Sequence, residues 1–234
     1  MQDGPTAYPD ELPGVARACD MLAAGQALVV PNPPPMTYGV VATQAWEVNA
    51  VKGRPVDQNV AVSLHDPSEW AAVVPSLDLP SRALDGVVSL LGQRLSLLLP
   101  VRADRPPPRW VAPAVRAGQL AAFDGRWSPT AAIWDRFPRL FGSSANHTGW
   151  PPAATAQEAR IALGHECEVI DGGPFDLESS SRRASTLVGV GRDGRLRLHR
   201  RGAQDQSWSS PGGYLAHLAA VAGMSVAESP EDPG

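Results

Sequence analysis

Leu140-Phe-Gly-Ser-Ser-Ala-Asn-His-Thr-Gly-Trp-Pro-Pro152 is the stretch whose reading decides the fold. A short apolar run, Leu140-Phe141, breaks into small polar residues. A hydroxyl and an amide follow two positions apart, Ser144 and Asn146, and a Gly–Pro–Pro segment closes the turn. Small residues at a strand end let a ligand approach the backbone, while Ser and Asn supply donors and acceptors. Open α/β sheets bind ligands at such carboxyl ends, and phosphate, ribose or base would suit these groups. A plain polar turn satisfies the same pattern.

A second stretch far upstream, Lys52-Gly-Arg-Pro55, favours the ligand reading. It follows a helix predicted from Thr43, as its cap, through about Val51, with Trp46 and Ala50 on one face. Cations at a helix C-terminus are stabilised by the helix dipole, which would be a purely structural role. Beside a pocket the same pair would hold phosphates, Arg as a planar fork and Lys as a point charge.

Working outward, apolar spacing predicts a helix over 12–24 with Gly25 as its C′ cap, then a buried strand at 27–30. Pro31 to Gly39 carries four prolines and must be a rigid loop. Strands are expected at 60–64, 95–99 and 119–123, and helices near 67–73, 81–91 and 128–137, the last opened by Ser128-Pro129. Arg105–Pro113 reads as a loop. Thr155-Ala-Gln-Glu158 is a capping box that starts another helix. A short strand at 169–170 runs into Asp171-Gly-Gly-Pro174, strands at 184–190 and 196–200 flank the hairpin signal Arg192-Asp-Gly194, and a helix spans about 214–222.

With 43% hydrophobic and 19% charged residues, the 234-residue chain has the composition of a soluble globular protein able to bury a core. A net charge of −4 gives no global sign of nucleic-acid or anionic-membrane binding. The local basic clusters, Arg182-Arg183 and Arg192 to Arg201, read as solvated faces. No run approaches the roughly 20 apolar residues of a membrane span, and no basic-then-apolar leader is visible at the N-terminus. Cys19 and Cys167 form no metal or redox spacing and read as buried thiols. The expected location is therefore cytoplasmic. His165-Glu-Cys167 lacks partners for a four-ligand metal site. Ser144 with His147 lacks the elbow of a hydrolase nucleophile. Gly172-Gly173 reads as a tight turn. Trp46, Trp70 and Trp134 fall in helical patterns and read as packing residues, whereas Trp150 directly follows the Ser-Ala-Asn turn and can wall a pocket.

Three segments occur in a particular order: Lys52-Gly-Arg-Pro55, then Ser144-Ala-Asn146-x-x-Gly149-x-Pro-Pro, then Asp171-Gly-Gly with Ser185-Thr186 and Arg201-Gly202-Ala203. This order resembles the YrdC/YciO-like family, the threonylcarbamoyl-AMP synthases of tRNA modification, over about Val15 to Ala203. The resemblance implies a single YrdC-like α/β domain over 10–205, with a twisted mixed sheet and flanking helices around a positively lined concave cavity. Residues 206–234 would be a short C-terminal helix and a flexible acidic tail, without the extra C-terminal domain of longer relatives. Such enzymes join bicarbonate, L-threonine and ATP into threonylcarbamoyl-AMP and release pyrophosphate. The carbamoyl group then passes to an adenosine of tRNA.

By the same resemblance, Lys52 and Arg54 are the catalytic cations. Lys52, Arg54, Ser144, Asn146, Ser185 and Arg201 would hold ATP, and Met36, Tyr38, Ser144 and Trp150 would face the substrates. Such chemistry needs cations and donors fixed around phosphate charge rather than covalent help from the protein. Mg²⁺ would be held through the nucleotide and water, with no dedicated protein metal site. Partners would be the nucleotide and small substrates, and tRNA or double-stranded RNA, with no membrane, in a monomer or homodimer.

The departures from the family pattern are local. Pro33-Pro34-Pro35-Met36-Thr37-Tyr38-Gly39-Val40 stands where the family reads Pro-Thr-Asp-Thr-Val-Tyr-Gly-Leu. Gln58-Asn59-Val60 replaces Lys-Pro-Leu, and Phe123-Asp-Gly replaces an Arg-x-Pro strand end, with Arg126 nearby. Each paired donor lost from a buried pocket costs about 1–3 kcal/mol. Three readings follow: a divergent threonylcarbamoyl-AMP synthase, a paralogue that keeps the adenylate pocket but uses another amine or carbamoyl donor, and a non-catalytic nucleotide- or RNA-binding protein. In the second, Met36 and the prolines leave an apolar pocket in place of a threonine site.

Overall fold

A computed structural model describes residues 10–176 and 181–227. In chain order the elements are α1 (Val15–Ala23), β1 (Leu28–Val30), β2 (Gly39–Ala42), α2 (Ala45–Val51), β3 (Ala61–Ser63) and α3 (Pro67–Val73). Then come α4 (Ser81–Gly92), β4 (Ser96–Pro100), β5 (Val115–Arg116), β6 (Gln119–Phe123), α5 (Ala131–Arg136) and β7 (Phe141–Ser144). The last are α6 (Ala156–Leu163), β8 (Glu168–Val169), β9 (Leu187–Val190), β10 (Arg195–Arg200), α7 (Pro211–Ala222) and β11 (Ser225–Val226). They form a mixed α/β fold of two compact units, one made of the described residues within 10–58 and 125–183, the other of 59–124 and 184–227.

The first unit orders its strands β7-β2-β1-β8. β1 (Leu-Val-Val) and β2 (Gly-Val-Val-Ala) are wholly buried, which suits runs without a polar side chain. β2 runs antiparallel to β1 and to β7, with Gly39 opposite Ser144, so the loop before β2 and the turn after β7 emerge at one end. α1 buries Val15, Ala18, Cys19 and Leu22, the stripe its spacing dictates, and packs on α5. Gly25, at φ +79°, ends α1 as expected for a left-handed cap.

The second unit orders β11-β10-β9-β4-β6-β3, with β5 hairpinned onto β6. β4 lies antiparallel to β6 and parallel to β9, and its Leu97 and Leu99 have no exposure. The β9–β10 hairpin closes through Gly194 at φ +79°, with Asp193 Oδ1 accepting the Arg195 N–H. α7 packs against α4, where Gly86 lies so close to the Ala222 carbonyl that a Cβ would collide with it.

Several expectations shift. Helix α2 begins after Gln44 with no side-chain cap, so Thr43 does not cap it. Its buried face is Ala45, Val48, Asn49 and Val51, while Trp46 is 51% exposed; the Trp46–Ala50 spacing marks the solvent side. Trp134 does pack, 3% exposed, with its indole N–H donating to Thr130 Oγ1 at 3.1 Å. The 109–114 part of the expected loop is a 3-10 turn, as is 128–130 before α5. The capping box forms: Thr155 Oγ1 accepts the Glu158 N–H and Glu158 Oε2 accepts the Ala154 N–H. Cys19 is buried and Cys167 partly so, both as free thiols. The acidic stretch after residue 227 lies outside the described residues.

Candidate functional site

In the first unit, α2 ends at Lys52 and the chain reverses through Gly53 at φ +59°, a left-handed position that glycine adopts without strain. Lys52 is 3% exposed. Its ammonium donates to the backbone carbonyls of Ser144 and Asn146, and to Asn146 Oδ1 at 2.9 Å. Three donors thus meet three oxygens, all from the turn that follows β7. Burial first, and then the neighbouring Arg54 guanidinium, push the Lys52 ammonium down to about 7.

The turn is held by its own asparagine. Ser144 Oγ donates to Asn146 Oδ1 at 2.5 Å, while Asn146 Nδ2 donates to the carbonyls of His147 at 3.0 Å and Trp150 at 2.6 Å. One face of the amide therefore receives Lys52 and Ser144, and the other closes the turn through Gly149 at φ +88°. The Trp150 ring is 73% exposed, so only its backbone belongs to this network.

Arg54 is different. Its backbone N–H donates to Asn49 O at 2.9 Å, but its Nε and Nη2, both shielded from water, have no acceptor among the described residues. Burial lowers its pKa from the usual arginine value without discharging the guanidinium. Orphaned donors of this kind cost about 1–3 kcal/mol each, a cost that an acceptor supplied from outside would offset.

Tyr38 and Met36 lie inward. Tyr38, 1% exposed, donates its hydroxyl to the Asp176 carboxylate at 2.8 and 2.9 Å and accepts the Gly172 N–H at 2.8 Å. Burial, then Asp176, raise its pKa far above the ordinary phenol. Its backbone joins the turn, N–H to Ala153 O and O from Ala145 N–H. Met36 is 7% exposed and pairs in a bridge with Arg183. The expected solvated face at Arg182 is corrected here. Arg182 is 4% exposed, its guanidinium donating to the Met36 and Phe175 carbonyls beside Asp176, while its Nε has no partner among the described residues.

The second unit brings the Ser185-Thr186 and Arg201-Gly202 segments together. Asp205, 1% exposed, accepts Thr186 Oγ1 at 2.7 Å, the Gly202 N–H at 2.6 Å and Arg201 Nε at 2.6 Å. Burial alone would raise the Asp205 carboxyl, but these donors outweigh it and hold the pKa below the ordinary value. Gly202 lies so close to the Ala184–Thr186 backbone that no Cβ fits, which explains glycine after Arg201. Ser185 Oγ pairs with Ser96 Oγ at 2.6 Å. Asp176, Asn49 and Asp205 were not among the sequence candidates. Each acts through a long-range hydrogen bond or a loop carbonyl that no local motif announces.

The sequence profile of the Sua5–YciO–YrdC family, described as telomere recombination, matches residues 22–202. The chain belongs to this family. No curated protein matches it in sequence. Among solved structures, P. abyssi Sua5 complexed with L-threonine is similar at TM-score 0.61 and 18% identity, over 84% of this chain and 56% of that one. T. kodakarensis HypF is similar at TM-score 0.63 and 16% identity, over 87% of this chain and 26% of that one. E. coli YciO is similar at TM-score 0.55 and 14% identity, over 80% of this chain and 88% of that one. The Sua5–YciO–YrdC member described here thus spans about half of the Sua5 chain and a quarter of HypF. At these identities the likeness is one of fold. Among the described residues no helix is long and apolar enough to cross a membrane, and no group of three or more His, Cys, Asp or Glu side chains is placed to hold a metal ion.

Proposed function

We propose that the chain is an L-threonylcarbamoyladenylate synthase-like nucleotidyltransferase, forming a carbamoyl-AMP from ATP, bicarbonate and an amino acid. The observation that carries this reading is the pair of unpartnered Arg54 donors beside the Lys52 ammonium, which is itself held by the Ser144–Asn146 turn. In the reaction the amine nitrogen bonds to the bicarbonate carbon with loss of water, and an oxygen of the resulting carbamate bonds to the α-phosphorus while the bond to the leaving pyrophosphate breaks. Arg54 donates to phosphate oxygens as a fork, and the Lys52 charge stabilises the negative charge that builds on the leaving group. Ser144 and Asn146 fix the lysine and present the turn to the nucleotide. Ser185 and Arg201 are assigned to nucleotide binding through the family motif. ATP would bring Mg²⁺ on its own phosphates, where it neutralises charge. Threonine is the amino acid of the first reading, with tRNA the eventual acceptor.

The Pro33–Met36 loop favours a second reading, a different amine. Three prolines and a buried methionine offer a substrate no side-chain hydrogen bond, and the Tyr38 hydroxyl is already engaged by Asp176 and Gly172. The test is to incubate the chain with labelled bicarbonate, ATP and single amino acids, following pyrophosphate release. Threonine-dependent release supports the synthase, and release with another amine alone supports the paralogue. Binding of ATP without turnover on any amine overturns both in favour of a non-catalytic nucleotide-binding protein.

A further inference from the structure

Asn49 lies on α2, has no exposure, and touches neither Lys52 nor Arg54 through its side chain in any recorded bond. Its amide Nδ2 instead donates to two loop carbonyls, Val56 O at 3.1 Å and Gln58 O at 2.7 Å. Its backbone oxygen accepts the Arg54 N–H at 2.9 Å. The loop that carries the cations is thus anchored from beneath at 54, 56 and 58 by one residue.

The same side chain has a cost. Asn49 Oδ1 is buried with no partner among the described residues. A leucine of similar size would avoid that orphan acceptor but would take the donor away from the Val56 and Gln58 carbonyls, so the amide is there for the loop it holds. The loop that Asn49 holds carries Arg54, whose Nε and Nη2 are orphan donors among the described residues. Proteins keep such unsatisfied groups mainly where a site must be held ready.

We infer that Asn49 is a positioning residue: its amide fixes the Lys52–Gln58 loop so that the Arg54 fork is preset for a phosphate. This rests on the nucleotide-binding reading above, and the test separates the two. ATP affinity is measured by titration calorimetry for the parent chain, Asn49→Leu, Arg54→Ala and the double variant, with a thermal melt of each. Arg54→Ala weakening ATP binding is what the nucleotide-binding reading expects, and unchanged affinity in that variant overturns that reading. Asn49→Leu is expected to raise Kd by about tenfold, since a loop misplaced by an ångström loses contacts of this kind. In the Arg54→Ala background the same change is expected to have almost no further effect. If Arg54→Ala weakens binding while Asn49→Leu leaves Kd unchanged, or if the two effects simply add, the positioning role is refuted and Asn49 only packs. Asn49→Ser, which leaves room for a water to bridge one carbonyl, serves if the leucine chain does not fold. It is expected to give a smaller loss with the same dependence on Arg54, and additivity there refutes the inference equally.

Discussion

Replacing Lys52 with methionine separates a binding cation from a structural one. Methionine keeps the apolar stem and removes the charge. A pKa near 7 instead of 10.5 means that the surroundings disfavour the ammonium by roughly 5 kcal/mol, a penalty that methionine does not carry. Against this stand the three oxygens it leaves behind. Ser144 O retains the Asn146 N–H at 3.0 Å and Asn146 Oδ1 retains Ser144 Oγ, so the loss falls mainly on the Asn146 carbonyl and is about 1–3 kcal/mol. The two effects oppose each other and leave a net gain of about 2–4 kcal/mol, so Lys52→Met is expected to melt at or above the temperature of the parent. Nucleotide binding has no such compensation. Removing one charge from a desolvated pair costs about 2–5 kcal/mol, which corresponds to a Kd for ATP raised on the order of a hundredfold. Calorimetric titration and a thermal melt of the same preparation give both numbers. Unchanged ATP affinity with a melting point lowered by more than about 10 °C would refute the reasoning, because Lys52 would then be a latch for the turn and nothing more.

Four further outcomes are expected. Under the proposed function ATP favours the Lys52 ammonium, which burial and Arg54 push down to about 7, so affinity should be full below that pH and decline as pH rises past it; titrations across pH should show this decline in the parent and not in Lys52→Met. Because that folded pKa lies below 10.5, the unfolded chain binds the extra proton between about 7 and 10.5, and Lys52's contribution to stability rises with pH across that window, as urea melts can follow. Asp205→Ala leaves Thr186, Gly202 and Arg201 without their shared acceptor and should lower stability by about 3 kcal/mol in urea unfolding, while Asp205→Asn, which keeps one oxygen, should lose less. Tyr38→Phe strips the acceptor from the buried Gly172 N–H and the donor from Asp176, a loss of about 1–3 kcal/mol in the same measurement.

Much of the fold was legible because its signals are local. The short apolar runs at 28–30 and 97–99 read as buried strands, and the capping box at Thr155 and the prolines at 67 and 129 fixed helix starts to within a few residues. Trp46 shows the limit: helical spacing gives a face, but it does not say which face meets the core. For the site, the cationic segment and the hydroxyl-plus-amide turn were readable as motifs, and their meeting through Lys52 follows from β2 pairing with β7 while α2 packs beside them. The supports were not readable. Asn49 works through carbonyls seven and nine residues on, and Asp176 reaches Tyr38 across 138 positions. Arg182 looked like a surface charge because its acceptors, two backbone carbonyls, carry no sequence signature.

The most direct test is a crystal structure of the chain with a non-hydrolysable ATP analogue and Mg²⁺. The account predicts phosphate oxygens about 3 Å from Arg54 Nε and Nη2, with the Lys52 ammonium still against the Ser144–Asn146 turn and within reach of the same phosphates. A nucleotide whose phosphates lie away from Arg54, leaving both of its donors unpaired, would contradict it.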